Sequence, residues 1–245
     1  MANGIPIIDA NCIFGFWPLR RAEVTLPTLI QTAQAAGVAR CIALSTTGLF
    51  YDYRAGNEET LAAAQANAQT LFPVATIDPR QQLDLLAEID KRAGQGFRLF
   101  RFFPNLQEWP LTFAPFRQAL AKLDEMRIPA MIDIAAAGQA TQIADLVTLH
   151  STPIIFAGVN HANLGEAIAV ARSDAKVHLE THALDSPDAL ELLAAEVGVE
   201  RLIFGSGAPL RFLSSALLPV LAAPLNDEQK AAVLGGNIRR LFTGK

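Results

Sequence analysis

Two charged side chains lie within apolar runs of the sequence, where each needs a partner or a ligand. Asp133 stands near the end of the run IPAMIDI, residues 128–134, and an ionised carboxylate there is costly unless it is paired. Arg101 lies in FRLFRFF, residues 97–103, and a guanidinium suits bidentate recognition of a carboxylate or phosphate. Asp133 could therefore be a general base or substrate anchor, and Arg101 could bind an acidic substrate. The alternative is a structural salt bridge between the two at neighbouring strand ends.

Two histidines and a glutamate follow later strand-like runs. His161 follows the run 153–158, and His182 follows the run 176–181. Glu180 and His182 are two residues apart, so their side chains share one face of a strand. Together these three residues are the candidate acid/base cluster. A hydrogen-bonded structural role is the alternative for either histidine.

Such residues act together only in a fold that gathers strand ends at one face. Strand-like runs alternate with helix-like segments along the whole chain, and this alternation predicts one (β/α)₈ TIM-type barrel domain spanning residues 1–245. An open doubly wound sheet is the alternative, but no glycine-rich phosphate loop follows the first strand. The predicted strands are 5–10, 40–45, 72–78, 97–103, 130–134, 153–158, 176–181 and 201–205.

The segments between the strands carry apolar residues at helical spacing. Residues 46–57 are the most irregular piece and predict a long loop that would partly cover the active face. Asn226, with Gln229 three residues later, predicts a capping box at the start of the last helix. Gly235 and Gly236 predict a break in that helix. The predicted helices are 26–36, 58–70, 83–93, 115–126, 140–149 and 187–197.

Composition narrows the classes of partner. The chain has 245 residues, of which 18% are charged, against roughly 25% in an average domain, and the small polar surface leaves room for a homo-oligomer interface. The net charge of −4 comes without basic stripes, so we expect neither nucleic acid nor membrane partners. The N-terminus lacks a signal peptide pattern, and Cys12 and Cys41 suggest buried free thiols. We therefore expect a cytoplasmic protein that binds a small-molecule substrate.

Six sequence pieces, in order, resemble the amidohydrolase-related family of the amidohydrolase superfamily. The opening strand PIIDANCIFGFWP resembles the family's I-D-x-H-x-H strand, and ERLIFGSGAP resembles its R-L-L-F-G-S-D-x-P strand. The resemblance implies a (β/α)₈ barrel whose relatives hydrolyse substrates with a bound metal. The six pieces are 6–18, 57–63 followed by 72–79, 96–105, 128–134, 200–209 and 235–242.

The departures from the family pattern fall on the metal ligands. Asn11 and Ile13 stand at the two histidines of the first strand, and Asp133 stands at a third histidine. Gly158 stands at the strand-six histidine, unless the alignment slips toward His161, and Gly207 stands at the strand-eight aspartate. Isoleucine cannot ligate a metal, and an asparagine amide is a weak substitute for imidazole. We therefore expect no metal cofactor.

Two functions remain open from the sequence. The first is a metal-independent hydrolase of a small carboxylate-bearing cyclic ester or amide, with Asp133, His161 and His182 as catalytic residues. Asn11, Arg101, Glu180 and Trp17 would then contact the substrate. The second is a catalytically inactive barrel that binds a ligand or a partner. An ordered metal or a hydrogen-bonded pair of Asp133 with a histidine would favour the enzyme, and a dry apolar pocket around Ile13 would favour the second function.

Overall fold

The computed structural model describes residues 6–19, 21–81 and 83–243. Within these residues, short parallel strands follow one another in chain order. Most of their residues are apolar and buried, which is the pattern of a sheet covered by helices. The strands are β1 Ile7–Phe14, β2 Val38–Ser45, β3 Leu71–Pro73, β4 Ala75–Thr76, β5 Phe100–Phe102, β6 Ala130–Asp133, β7 Ile154–Ala157, β8 Val177–Glu180 and β9 Leu202–Ile203.

Hydrogen bonds close these strands into a barrel. The strands pair in parallel as β1-β2-β3 and as β4 to β9 in order, and β3 and β4 are one barrel strand interrupted at Val74. The last strand returns to the first, since Ala10 N–H donates to the Phe204 carbonyl at 3.0 Å and Gly207 N–H donates to the Asn11 carbonyl at 2.9 Å. The predicted (β/α)₈ barrel is thus confirmed. Residue 5, the start of the first predicted strand, lies outside the described residues.

Strand alternation decides which polar residues face the barrel interior. Leu99 and Phe103 belong to the interior apolar cluster, so Arg101 between them points inward as well. Met131 belongs to the same cluster, and Asp133 lies two residues further along the same face. The two charged residues therefore meet at the C-terminal mouth of the barrel.

Helices pack around the barrel, and five of the six predicted helices agree with the structure to within three residues at each end. The helix predicted at 58–70 starts earlier, at Tyr53. The helices are α1 Leu26–Ala35, α2 Thr47–Phe50, α3 Tyr53–Ala66, α4 Leu85–Gly94, α5 Ala114–Glu125, α6 Gln139–Leu146, α7 Leu164–Ser173, α8 Ala189–Glu196, α9 Leu213–Ala222, α10 Asp227–Ala231 and α11 Asn237–Thr243.

The loop predicted at 46–57 is wrong, because α2 and the start of α3 occupy it. The Asp52 side chain caps α3 by accepting hydrogen bonds from Arg54 N–H at 2.8 Å and Ala55 N–H at 3.3 Å. Gly48 and Gly56 let the two helices touch, because a Cβ on Gly56 would lie 2.1 Å from the Gly48 nitrogen. The side-chain cap and the contact between the two glycines thus stabilise α2 and the start of α3, which the spacing of apolar residues does not indicate.

The C-terminal helices follow the predicted pattern. Asn226 Oδ1 accepts from Gln229 N–H at 2.9 Å, and Gln229 Oε1 accepts from Asn226 N–H at 3.0 Å, which is the predicted capping box. Gly235 leaves helical geometry and separates α10 from α11. Cys12 and Cys41 are both buried and free, as expected. No helix in the described part of the chain is long and apolar enough to cross a membrane.

Candidate active site

A cavity of about 230 Å³ opens at the C-terminal mouth of the barrel. Polar side chains from several strand ends face it, and apolar side chains form its walls. The short α2 contributes Leu49, so the segment after β2 does cover part of the mouth. The polar lining residues are Asn11, Arg101, Asp133, His182 and Arg211, and the apolar ones are Ile13, Trp17, Leu49, Phe103, Leu106 and Leu210.

Arg101 and Asp133 form the ion pair predicted from the sequence. Arg101 Nε donates to Asp133 Oδ1 at 3.0 Å, and Nη2 donates to Oδ1 at 2.9 Å and to Oδ2 at 3.2 Å. The Arg101 side chain is 5% exposed and that of Asp133 is 28% exposed. The guanidinium carbon also lies 4.5 Å from the centre of the Phe103 ring, a cation–π arrangement. Packing and charge together fix the guanidinium in one orientation.

Asn11 links this ion pair to a second one. Its Oδ1 accepts from Arg101 Nη1 at 2.5 Å, and its Nδ2 donates to Glu180 Oε2 at 3.0 Å. Both ends of the amide are therefore occupied. A continuous hydrogen-bonded chain runs from Asp133 through Arg101 and Asn11 to Glu180.

Glu180 and His182 are the second pair. His182 Nδ1 lies 2.5 Å from Glu180 Oε2, and His182 N–H donates to Glu180 Oε1 at 2.7 Å. Burial alone would raise the pKa of Glu180, but the charge and hydrogen bond of His182 and the charge of Arg101 lower it. Gly205 makes room for this carboxylate, since a Cβ there would lie 2.0 Å from Glu180 Oε1. An anionic Glu180 thus fixes the ring of His182, as a triad carboxylate does.

His182 keeps its other ring nitrogen, Nε2, for the cavity. With Nδ1 committed to Glu180, Nε2 is the atom that can exchange a proton with a ligand or water. None of the residues in 6–19, 21–81 and 83–243 makes a hydrogen bond to it. The His182 side chain is 15% exposed, which is consistent with access from the cavity.

A buried carboxylate beneath the cavity joins the first and last barrel strands. Asp9 Oδ1 accepts from Asn11 N–H and from Ser206 N–H, each at 3.0 Å, and the Ser206 hydroxyl donates to Oδ2. Burial raises the pKa of Asp9 to about 6 despite these hydrogen bonds. Asp9 therefore holds the backbone from which Asn11 projects.

His161 lies apart from the hydrogen-bonded group at the mouth of the barrel. It is exposed, its N–H donates to Asp185 Oδ1 at 2.8 Å, and its Nδ1 lies 3.1 Å from Ser186 Oγ. Its side chain does not line the cavity at the mouth. Trp17 does line the cavity and packs edge-on against Phe50, with ring centres 5.0 Å apart. Six of the seven sequence-predicted site residues thus belong to one hydrogen-bonded or cavity-lining group.

Arg211 is the polar cavity residue that sequence reasoning missed. It follows GSGAP on the loop after β9, at the rim of the cavity. Its side chain is exposed, and no hydrogen bond or ion pair within the described residues engages the guanidinium. The signal available in the sequence was its position after the last strand, since such loops build the active face of a barrel.

Comparison with known protein families agrees with this architecture. The family model described as Amidohydrolase matches residues 49–243, which is most of the chain. The chain belongs to the amidohydrolase family. A search of curated proteins found none that matches the sequence.

Solved structures show the same barrel fold. An uncharacterised TIM-barrel protein from Bordetella bronchiseptica has 16% identity and a TM-score of 0.77, covering 98% of this chain and 100% of its own. A protein assigned as a 2-pyrone-4,6-dicarboxylic acid hydrolase, from Pseudomonas putida, has 19% identity and a TM-score of 0.76, covering 98% of each chain. A 5-carboxyvanillate decarboxylase from Sphingomonas paucimobilis has 15% identity and a TM-score of 0.75, covering 98% of this chain and 99% of its own.

The residues at the mouth do not fit the metal that the amidohydrolase family resemblance implies. Asn11 has both amide ends occupied, Asp133 is paired with Arg101, and Ile13 offers no ligand atom. No group of three or more His, Cys, Asp or Glu side chains that could hold a metal occurs in the described residues. The fixed cation bonded to Asn11 and Asp133 is a guanidinium, which repels a metal ion.

Two further positions that align with metal ligands of the amidohydrolase pattern are glycines whose backbone conformation disfavours a side chain. Gly158 has φ +87°, and a Cβ there would lie 2.3 Å from the Ile134 carbonyl oxygen. Gly207 has φ +70°, with a Cβ position 3.3 Å from both His182 Cδ2 and Arg211 Cδ. The backbone as well as the side chains departs from a metal site.

Proposed function

We propose that this amidohydrolase-family protein hydrolyses a small carboxylate-bearing cyclic ester without a metal. The observation that carries the proposal is that His182, held by the buried Glu180, lines the same small cavity as the fixed guanidinium of Arg101. Two of the structural relatives described above are named for acting on carboxylated rings, which supports the substrate class. A cyclic ester is preferred to an amide because it needs less electrophilic assistance.

The size of the cavity limits the substrate. A volume of about 230 Å³ corresponds to the space of about eight water molecules. It is below the roughly 300 Å³ at which drug-sized pockets begin. A single substituted ring and one attacking water fill such a space.

The charges of the site favour an anionic substrate. Asp133 neutralises Arg101 inside the cavity, whereas the exposed guanidinium of Arg211 at the rim makes no ion pair with the described residues. A substrate carboxylate would therefore be held by Arg211, and the reacting carbonyl would lie deeper, toward Arg101 and His182. Arginine binds carboxylates in a bidentate geometry that also fixes orientation.

The reaction follows from these positions. His182 Nε2 takes a proton from water as that water attacks the ring carbonyl, and Glu180 stabilises the imidazolium that forms. The negative charge that develops on the carbonyl oxygen is stabilised by the Arg101 guanidinium. The ring C–O bond then breaks, and His182 returns its proton to the leaving oxygen, which gives a hydroxy acid. Both oxygens of Asp133 are bonded to Arg101, so we assign Asp133 to positioning this arginine rather than to proton transfer.

A screen of small lactones that carry a carboxylate tests the proposal, with and without a chelator. We expect hydrolysis that a chelator leaves unchanged, and a fall in kcat of about 10² to 10⁴ for His182→Asn. Arg211→Gln should raise KM with little change in kcat, because it removes a binding contact remote from the reacting bond. His161→Asn is the matched control and should behave as the wild type. Full activity in His182→Asn would overturn the assignment of the base, and loss of activity on chelation would overturn metal independence.

The second candidate is a binding barrel without catalysis. The observation that favours it is the mutual neutralisation of Arg101 and Asp133, which leaves these polar groups satisfied without a substrate. Calorimetric binding of the same lactones and their hydrolysed acids, in the absence of turnover, would support this candidate over the hydrolase.

A further inference from the structure

A second cavity lies at the opposite end of the barrel from the candidate active site. Its volume is about 540 Å³. Its walls come from the N-terminal ends of the strands, with Ile8 on β1, Arg40 on β2 and Phe72 on β3, and α11 adds Arg239 and Phe242. The apolar interior of the barrel separates it from the mouth, so the two cavities are distinct sites.

The floor of this cavity is apolar and partly flat. The rings of Phe72 and Phe242 are stacked, with centres 5.1 Å apart and planes 16° apart. Ile8 lies beside them. Such a surface suits the apolar body of an aromatic or aliphatic molecule, which gains by leaving water.

The rim of the same cavity is positively charged, and the described residues supply no counter-charge there. Arg40, Arg98 and Arg239 line it, and all three are exposed. None of their guanidinium groups makes a hydrogen bond or ion pair within the described residues, and none of the described lining residues is acidic. Other arginines of the chain do pair with carboxylates, as Arg80 does with Asp78.

Three like charges around one apolar floor repel one another and create a positive potential. An anion placed among them relieves that repulsion, and guanidinium groups bind carboxylates with paired hydrogen bonds. We propose that this cavity binds an organic carboxylate with an aromatic or aliphatic body. The inference is independent of the proposed hydrolase activity, because no residue is shared between the two cavities.

Calorimetric titration of the full chain with 2-naphthoate tests the inference, with neutral 2-naphthamide as the matched ligand. We expect saturable binding of naphthoate and binding of naphthamide that is roughly tenfold or more weaker, since a charge-assisted hydrogen bond is lost. Arg98→Gln and Arg239→Gln should each weaken naphthoate binding by a similar factor. Both side chains are exposed, so unchanged thermal melting will show that the variants fold.

Two control variants locate the binding. Arg117→Gln changes an exposed arginine of α5 outside both cavities, and Arg211→Gln changes the arginine at the barrel mouth. Arg117→Gln should not alter naphthoate affinity, and Arg211→Gln should leave unchanged the binding event that Arg98→Gln weakens, even if naphthoate also binds at the mouth. The inference is overturned if naphthoate does not bind saturably, if naphthamide binds equally well, or if Arg211→Gln weakens binding while Arg98→Gln does not.

Discussion

Replacement of Asp133 by Asn removes a charge from the buried ion pair while keeping the side-chain volume. Arg101 is only 5% exposed, so its guanidinium would lose the carboxylate that compensates its removal from water. Loss of one partner from a fully buried pair costs about 3 to 5 kcal/mol, and an exposed pair contributes about 0 to 1 kcal/mol. Asp133 is 28% exposed and Asn retains one acceptor oxygen. We therefore expect a loss of about 2 kcal/mol in the free energy of unfolding.

Urea unfolding followed by circular dichroism measures this loss as a lower midpoint with an unchanged slope. Glu196→Gln is the matched control, because Glu196 pairs with Arg172 at 2.9 Å while the two side chains are 40% and 62% exposed. That variant should lose less than about 0.5 kcal/mol. If Asp133→Asn and Glu196→Gln lose the same small amount of unfolding free energy, Arg101 does not depend on Asp133. The Arg101–Asp133 pair would then not be a buried ion pair that stabilises the barrel mouth.

Three further predictions concern the residues beneath and beside this pair. Burial raises the pKa of Asp9 from 3.8 to about 6, so the folded state holds a proton that the unfolded chain releases. Stability should therefore fall by about 3 kcal/mol as pH rises through this window, and urea unfolding of Asp9→Asn should lack this dependence. The pKa of Glu180 is lowered, so its contribution to stability is present above its usual value of 4.5 and is lost as pH falls below it. In His182→Asn the pKa of Glu180 is lowered less, so this loss of stability in acid should be smaller than in the wild type, as measured by unfolding at low pH. Gly205→Ala should displace the Glu180 carboxylate and lower both the melting temperature and turnover. The control is Gly165→Ala in α7, which has open space around it and should melt at or above the wild-type temperature. Equal melting temperatures of the two variants would contradict the close packing of Gly205 against Glu180.

The fold could be predicted because parallel strands covered on both faces leave short apolar runs in the sequence. The same regularity predicted the contact between Arg101 and Asp133, since strand order and alternation fix which side chains meet at a strand end. Glu180 and His182 were paired by the same parity. These predictions rest on backbone geometry, which repeats from one strand to the next.

What could not be predicted depends on contacts between segments that lack such regularity. The helices at 46–57 depend on a cap from Asp52 and on the approach of Gly48 to Gly56, neither of which changes apolar spacing. The bridging role of Asn11 depends on the orientation of a side-chain amide. His161 was grouped with His182 because both follow strands, but the turn after β7 directs it to Ser186 and the surface.

The backbone at Gly158 has a consequence for any attempt to build a metal site into this barrel. A histidine placed there would put its Cβ 2.3 Å from the Ile134 carbonyl oxygen, in a left-handed conformation that disfavours side chains. One substitution therefore cannot place a histidine ligand at this position, even if ligands were supplied at the others. The turn after β7 would first have to take a different path. An engineer who wants a metal site at this barrel mouth must therefore rebuild that loop before changing the side chains.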